Sequence, residues 1–336
     1  MGPLEGHHHE AYAVRLGADS PFRSRFAWLK LREPRPGVFW YDSRCFQSEE
    51  ALLELLRENR VPRIPAVLPV DERVSVQSFI EGDTLGALTP DSKRVEGRHL
   101  VQIGELFQSL AGIDVRAFEG LRRVCDQAAV SWRSDSSGFL VGLIEHNINT
   151  VHSSQEWQYD SLFHDLGVPD NALADFAAGL VPLTSRPYQL LHGDLHRENF
   201  IIDGSGDLWT IDWELARIGD PLYDLATHLH LMRYSEDQER EMVRRWQDGV
   251  GSVRRDAVKG AEADLPHYLA YKRIQSVHTD IIRAVVLARR PQGEAVPMRS
   301  AQSVRRALLA AAEPLCVERV LPVERIAAIL ASFRAG

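Results

Sequence analysis

Two apolar runs broken by charged residues constrain this chain more than any other feature: Leu190-Leu-His-Gly-Asp-Leu-His-Arg-Glu-Asn-Phe-Ile-Ile202 and Leu208-Trp-Thr-Ile-Asp-Trp-Glu214. Tyr188-Gln-Leu-Leu191 reads as a short strand leading into His192-Gly-Asp194, and Asn199-Phe-Ile-Ile202 reads as its return. A tight turn from Gly204 to Gly206 then feeds Leu208-Trp-Thr-Ile211, which ends at Asp212. The pattern predicts that Asp194, Asn199 and Asp212 emerge from neighbouring strand ends at one edge.

That trio suits one chemistry. Phosphoryl transfer needs a carboxylate to orient or deprotonate an acceptor hydroxyl, and oxygen ligands to hold magnesium against nucleotide phosphates. Asp194 fits the first role, and the hard oxygens of Asn199 and Asp212 fit the second. His192 reads as a structural hydrogen-bonding residue rather than a general base.

Upstream, Ala11-Tyr-Ala-Val-Arg-Leu16 and Arg25-Phe-Ala-Trp-Leu-Lys-Leu31 read as a hairpin turned at Asp19-Ser-Pro. A third strand is expected at Val38-Phe-Trp-Tyr41, a helix over Phe46 to Leu56, and a strand pair near 66–68 and 74–80. Lys30 stands among apolar neighbours, where it either reaches solvent from an edge strand or meets an anion such as a phosphate. The helix wheel puts Glu49 nearer than Glu50 to the Leu52, Leu53, Leu56 face, so Glu49 is favoured as the partner of Lys30. Gly6, just before the first strand, offers a flexible point where main chain can cover a nucleotide, without a complete glycine-rich signature. His7, His8 and His9 read as an added tag or a native loop, because consecutive side chains on an extended segment diverge and make a poor zinc site. Gln77-Ser-Phe-Ile-Glu-Gly-Asp-Thr84 marks a lobe boundary at Gly82, with adenine expected beside its backbone and Phe79 as either a cofactor contact or a core residue.

The catalytic block resembles the aminoglycoside phosphotransferase family of small-molecule kinases, including its antibiotic-resistance enzymes. The family pattern is carried here by His192-Gly193-Asp194, Asn199 and Ile211-Asp212-Trp213, and continues in Gly219-Asp-Pro-Leu-Tyr-Asp-Leu225. The resemblance implies an α+β, two-lobed protein-kinase-like fold with a small antiparallel-sheet N-lobe and a largely helical C-lobe. It also implies transfer of the γ-phosphate of ATP or GTP to a small-molecule hydroxyl, with Asp194 as catalytic base and Asn199 with Asp212 holding Mg2+. It supports Lys30 with Glu49 as the ion pair that positions phosphates, and it places His196 where a phosphate contact is expected. Asp220 and Asp224 are expected to organise the loop and the next helix, with simple helix capping favoured for Asp224. Arg197-Glu198 replaces the family's usual Pro-Gly, which predicts a stiffer loop or one paired with a neighbouring element.

These readings divide the chain into a nucleotide-binding lobe, 1–81, and a catalytic and substrate-binding lobe, 82–336. The second lobe is expected to be helical near 100–113, 139–151, 170–180, 237–246, 265–289, 304–312 and 323–333, with the acceptor entering between the catalytic loops and these helices. Glu214, Asp220, Glu236, Asp237 and Glu241 are candidates to attract ammonium groups, and Tyr159, Trp213 and Tyr234 to stack on a sugar or base, although core packing is the commoner use of such aromatics. The acceptor is expected to be a hydroxyl-bearing small molecule, first an aminoglycoside or related antibiotic, with a nucleoside antibiotic or endogenous metabolite as alternatives. A noncatalytic nucleotide-binding pseudokinase is the remaining reading. A formal charge of -8 from 47 acidic and 39 basic residues mixed along 336 gives no reason to expect a nucleic-acid surface. Three scattered cysteines and the lack of any membrane-length apolar run lead to the expectation of a cytoplasmic protein with no membrane partner.

Overall fold

In the computed structural model, the residues described are 9–20, 22–23, 25–34, 44–69, 75–91, 93–122, 135–149, 159–288 and 298–334. Gly6, His7, His8 and the strand expected at 38–41 lie outside them. The chain begins with strands β1 (His9–Arg15) and β2 (Trp28–Pro34), then helix α1 (Glu49–Glu58). Strands β3 (Val67–Pro69), β4 (Ser75–Ser78) and β5 (Asp83–Thr84) precede helices α2 (Leu85–Leu88) and α3 (Gly97–Ala111). Helices α4 (Ser136–Asn147), α5 (Asp160–Asp165) and α6 (Ala172–Ala178) come next. Four short strands follow: β6 (Gln189–Leu191), β7 (Phe200–Ile202), β8 (Leu208–Thr210) and β9 (Arg217–Gly219). The remainder is helical, with α7 (Pro221–Met232), α8 (Glu236–Val253), α9 (Ala261–Ala288), α10 (Met298–Ala311) and α11 (Val323–Arg334). Among the described residues, no helix is long and apolar enough to cross a membrane.

The chain forms two compact units, one from residues 1–135 and 186–259, the other from 136–185 and 260–336. This division differs from the expected cut after residue 81, because backbone bonds tie the early segment to the later strands of the same unit. Thr84 pairs with Ile201, and Thr210 N donates to Arg63 O at 2.8 Å.

In the first unit an antiparallel sheet of order β1-β2-β4-β3 buries Leu29, Leu68 and Val76, with Leu16, Phe22 and Phe26 against them. Apolar spacing along α1 buries Leu52, Leu53 and Leu56 completely, and Ser48 caps the helix by accepting from Ala51 N at 3.1 Å. Helices α3 and α8 pack together, with Gly249 of α8 close to Gly104 and Gln108 of α3. Strands β5 to β9 form two small sheets, β5-β7-β8 and β6-β9. The partner of β6 is therefore β9 and not β7, whose two edges are already filled by β5 and β8. Gly82 permits this pairing, since a Cβ at that positive-φ position would overlap Ile202 O.

The second unit is helical. Its helix α9 is bonded to α4 where Asn147 Nδ2 donates to the Tyr271 hydroxyl at 2.9 Å, and it packs against α10 and α11. Asp264 accepts from Thr184 N at 2.9 Å, anchoring the segment before residue 186 to the first turns of α9.

Candidate active site

Asp194, Asn199 and Asp212 are brought together by the connection between β6 and β7 and by the end of β8. The turn at Gly193, with φ of 84°, needs glycine, because a Cβ there would stand 2.7 Å from Leu215 O. Asn199 Nδ2 donates to Asp194 O at 2.9 Å and to Asp194 Oδ2 at 3.1 Å. Ile211 N donates to Asn199 O at 3.0 Å, which sets the Asp212 corner beside Asn199. The Asp194 side chain keeps 30% of its surface exposed, so an incoming group can reach it.

His196 meets the same carboxylate. Its Nε2 lies 3.3 Å from Asp194 Oδ2, while its Nδ1 accepts from Glu198 N at 3.2 Å. Burial pulls the imidazole down, but the hydrogen bond and negative charge of Asp194 prevail and raise its pKa above the ordinary value.

His192 is enclosed. Its Nε2 donates to Ile211 O at 3.1 Å and its Nδ1 accepts from Asp194 N at 3.3 Å, so it is the neutral tautomer, and burial lowers its pKa to about 4. A histidine bonded at both nitrogens to backbone fixes the loop and does not act as a general base.

Asp212, two residues beyond β8, has φ of 67°, a left-handed conformation unusual for a residue with a side chain. Burial pushes its carboxyl up to about 7, and Glu214, Glu49 and Asp194 add to the shift while Lys30 opposes it. Such a concentration of negative charge matches a cation, and the donor set fits magnesium. Asn199 directs its Nδ2 to Asp194 and thereby keeps its Oδ1 as an acceptor, and Asp212 supplies a carboxylate. Among the described residues, no cluster of three or more His, Cys, Asp or Glu is placed to hold a metal.

Lys30 is half-buried on β2, opposite Ala13 and Gln77. The expected Lys30–Glu49 ion pair is not formed. Glu49 and Glu50 both pair with Arg32, whose Nη2 lies 2.9 Å from Glu50 Oε1. The cause is the two-residue period of a strand, which puts Lys30 and Arg32 on one face and lets α1 meet the second of them. Glu49 is nonetheless buried and part of the site, since its Oε1 accepts from Trp213 N at 2.8 Å. Phe79 is half-buried beyond β4, and its N–H is given to Trp28 O at 3.2 Å.

Three residues organise the loop and the helix after it: the sequence points to Asp220 and Asp224 for this work, with capping favoured for the wrong one of the two, and does not single out His228. Asp224 does not cap its helix; its two oxygens accept from His192 N at 3.0 Å and Gly193 N at 2.8 Å. The cap is Asp220, which accepts from Leu222 N at 2.9 Å and is held by a fully buried Arg186. His228 donates from Nδ1 to Leu195 O at 3.0 Å and accepts at Nε2 from the Tyr234 hydroxyl. The α7 periodicity was the available signal, since Asp224 and His228 are four residues apart and share a face.

Arg197 and Glu198 pair with neighbouring segments. Arg197 donates to Thr89 O at 2.5 Å and Met232 O at 3.1 Å, and Glu198 accepts from the Thr84 hydroxyl at 2.7 Å. Of the candidate acceptor-binding acids, Asp220 is bound to Arg186, Asp237 to Arg94, Glu241 to Arg245 and Glu236 to Arg240. Tyr159, Trp213 and Tyr234 are buried core residues.

Comparison with known proteins supplies the family. The sequence profile of the Phosphotransferase enzyme family matches residues 3–260, most of the chain. The chain belongs to this family. A protein from Ralstonia eutropha, proposed to be an aminoglycoside phosphotransferase, superposes with a TM-score of 0.57 at 13% identity, over 98% of this chain and 91% of that one. An ethanolamine kinase from Plasmodium vivax gives a TM-score of 0.57 at 12% identity, over 90% of this chain and 80% of that one. No curated protein matches the sequence. The phosphotransferase thus has the α+β, protein-kinase-like fold, with a small antiparallel sheet near its N-terminus and mostly helices after it. Its family moves phosphoryl groups, so the Asp194, Asn199 and Asp212 cluster is the place to seek that chemistry.

Proposed function

We propose that this phosphotransferase moves the γ-phosphoryl group of ATP or GTP to a hydroxyl of a small molecule, with residues 1–81 as the nucleotide-binding lobe. The observation that carries this reading is the geometry of Asp194. Asn199 and His196 both address its Oδ2, and the side chain is still open to solvent. A carboxylate so oriented accepts the proton of an incoming hydroxyl as its oxygen attacks phosphorus.

Asn199 and Asp212 would hold Mg2+, which when bound supplies positive charge against the donor's phosphates. Lys30 adds a second positive charge from β2, and its influence already reaches Asp212. His196 steadies the base, and its raised pKa adds partial positive charge near the transferred group. His192, Asp224 and His228 hold the loop backbone, so that Asp194 need not reorganise during the reaction. Gly6 and Phe79 remain the proposed contacts for the phosphate cover and the adenine.

An aminoglycoside or related antibiotic is the first acceptor to test. Amino alcohols such as ethanolamine follow, because a structural neighbour acts on one. Incubation with magnesium, ATP or GTP and a panel of aminoglycosides, nucleoside antibiotics, amino alcohols and hydroxylated metabolites, read by mass spectrometry, should show one product heavier by a phosphoryl group. Magnesium-dependent nucleotide binding with no product from any acceptor would favour a pseudokinase.

A further inference from the structure

Glu49 is buried, accepts from Trp213 N, and pairs with a strand cation other than Lys30. We propose that Arg32 is a positioning residue for the cation site, acting through Glu49 on the peptide that follows Asp212. The proposal rests on the phosphotransfer reading above.

The chain of contacts is short. On β2, Leu31 faces outward at 41% exposure, whereas Lys30 and Arg32 point the other way and are half-buried. The guanidinium of Arg32 lies against Glu49 with Nη1 and against Glu50 with Nη2. A planar fork can engage two carboxylates together, which the point charge of a lysine ammonium does less well. Glu49 has no solvent-exposed side-chain surface, so Arg32 is the partner that compensates for its burial. Its Oε1 accepts from Trp213 N at 2.8 Å.

Trp213 N belongs to the peptide whose plane is set by the ψ angle of Asp212. Asp212 holds a left-handed φ of 67°, a conformation that persists only where neighbours enforce it. Fixing the next amide therefore fixes how the Asp212 carboxylate is aimed. Because Arg32 answers Glu49, Lys30 makes no ion pair among the described residues and its charge acts on Asp212 and the donor's phosphates. Arg32 thus separates two tasks that one lysine would otherwise share.

The test follows binding of Mn2+ to the full chain in the presence of ADP, by the loss of the free-ion electron paramagnetic resonance signal, with phosphoryl transfer measured separately. Arg32→Met and Glu49→Gln should each weaken Mn2+ binding about tenfold or more, the scale expected for outer residues that orient a metal ligand. ADP affinity without metal should stay within about threefold of the unaltered protein. The double variant should bind no more weakly than Glu49→Gln, because both changes break one path. Unchanged Mn2+ affinity in Arg32→Met, or additive losses in the double variant, would overturn the proposal. If Arg32→Met fails to fold, Arg32→Lys decides: it keeps the charge without the fork, should melt normally and should lose about threefold in Mn2+ affinity, and full affinity there also overturns the proposal. An unaltered protein that binds no Mn2+ with ADP refutes both this inference and the phosphotransfer reading. One that binds Mn2+ but phosphorylates no acceptor refutes the reading alone.

Discussion

Two carboxylates hold the two sides of the site by different means. Asp224 is fully buried and takes two backbone N–H groups of the His192-Gly193 turn, so its work is done by main chain at fixed positions. Glu49 takes one backbone N–H, that of Trp213, and is balanced by the side chain of Arg32. The catalytic loop is thus anchored through groups every sequence possesses, whereas the Asp212 corner depends on one particular cation on a strand. The first arrangement resists change in neighbouring side chains, and the second can be altered by a single substitution.

Replacing the loop's central group gives the largest expected effect. Asp194→Asn keeps the cation pair and removes the base, and should lower single-turnover phosphoryl transfer by about 10²- to 10⁴-fold while most nucleotide binding survives. Unchanged turnover would remove Asp194 from its role and leave the loop's anchoring without a catalytic purpose.

Asp224→Ala should break the more robust side. It leaves the amides of His192 and Gly193 buried without their acceptor, at a cost of about 3 to 5 kcal/mol in denaturant unfolding. A loss below about 1 kcal/mol would show that the turn is held by other means.

Acid should also single out the loop. Burial holds folded His192 near about 4 and His228 near about 3, below the ordinary histidine value of 6.5. Below that ordinary value the unfolded chain binds protons that the folded loop refuses. Stability contributed by these two groups is therefore complete above about pH 6.5 and declines as pH falls towards their folded values, by about 1.4 kcal/mol per pH unit for each. Urea titrations between about pH 7.5 and 5 should show a slope shallower by one histidine's share in His228→Gln than in the unaltered protein, the raised groups Asp212 and His196 adding the same opposing contribution to both. The same slope in the variant would count against His228.

The smallest effect belongs to Glu50. Burial alone would raise its pKa, but Arg32 and hydrogen bonds from Gln77 and Arg32 bring it below the ordinary value. Its contribution is present above the ordinary glutamate range and is lost as pH falls through the lowered value. Because it is partly exposed, Glu50→Gln should cost only about 0.5 kcal/mol in thermal or urea unfolding. A loss as large as that in Asp224→Ala would erase the contrast between the two sides.

The sequence by itself determined most of the elements and the proximity of Asp194, Asn199 and Asp212. Alternation in Ala11 to Leu31, the periodicity of the long helices and the breaks at Gly193 and Gly204 to Gly206 are local signals, and Asp194, Asn199 and Asp212 lie within one short stretch whose turns bring them together. Tertiary structure decided the partners. That β6 joins β9, that Glu49 answers Arg32 and not Lys30, and that Asp224 serves a loop 31 and 32 residues earlier all depend on how separated segments pack. Periodicity assigns a residue to a face, but several groups share each face, and only the three-dimensional approach of another element selects which of them is met.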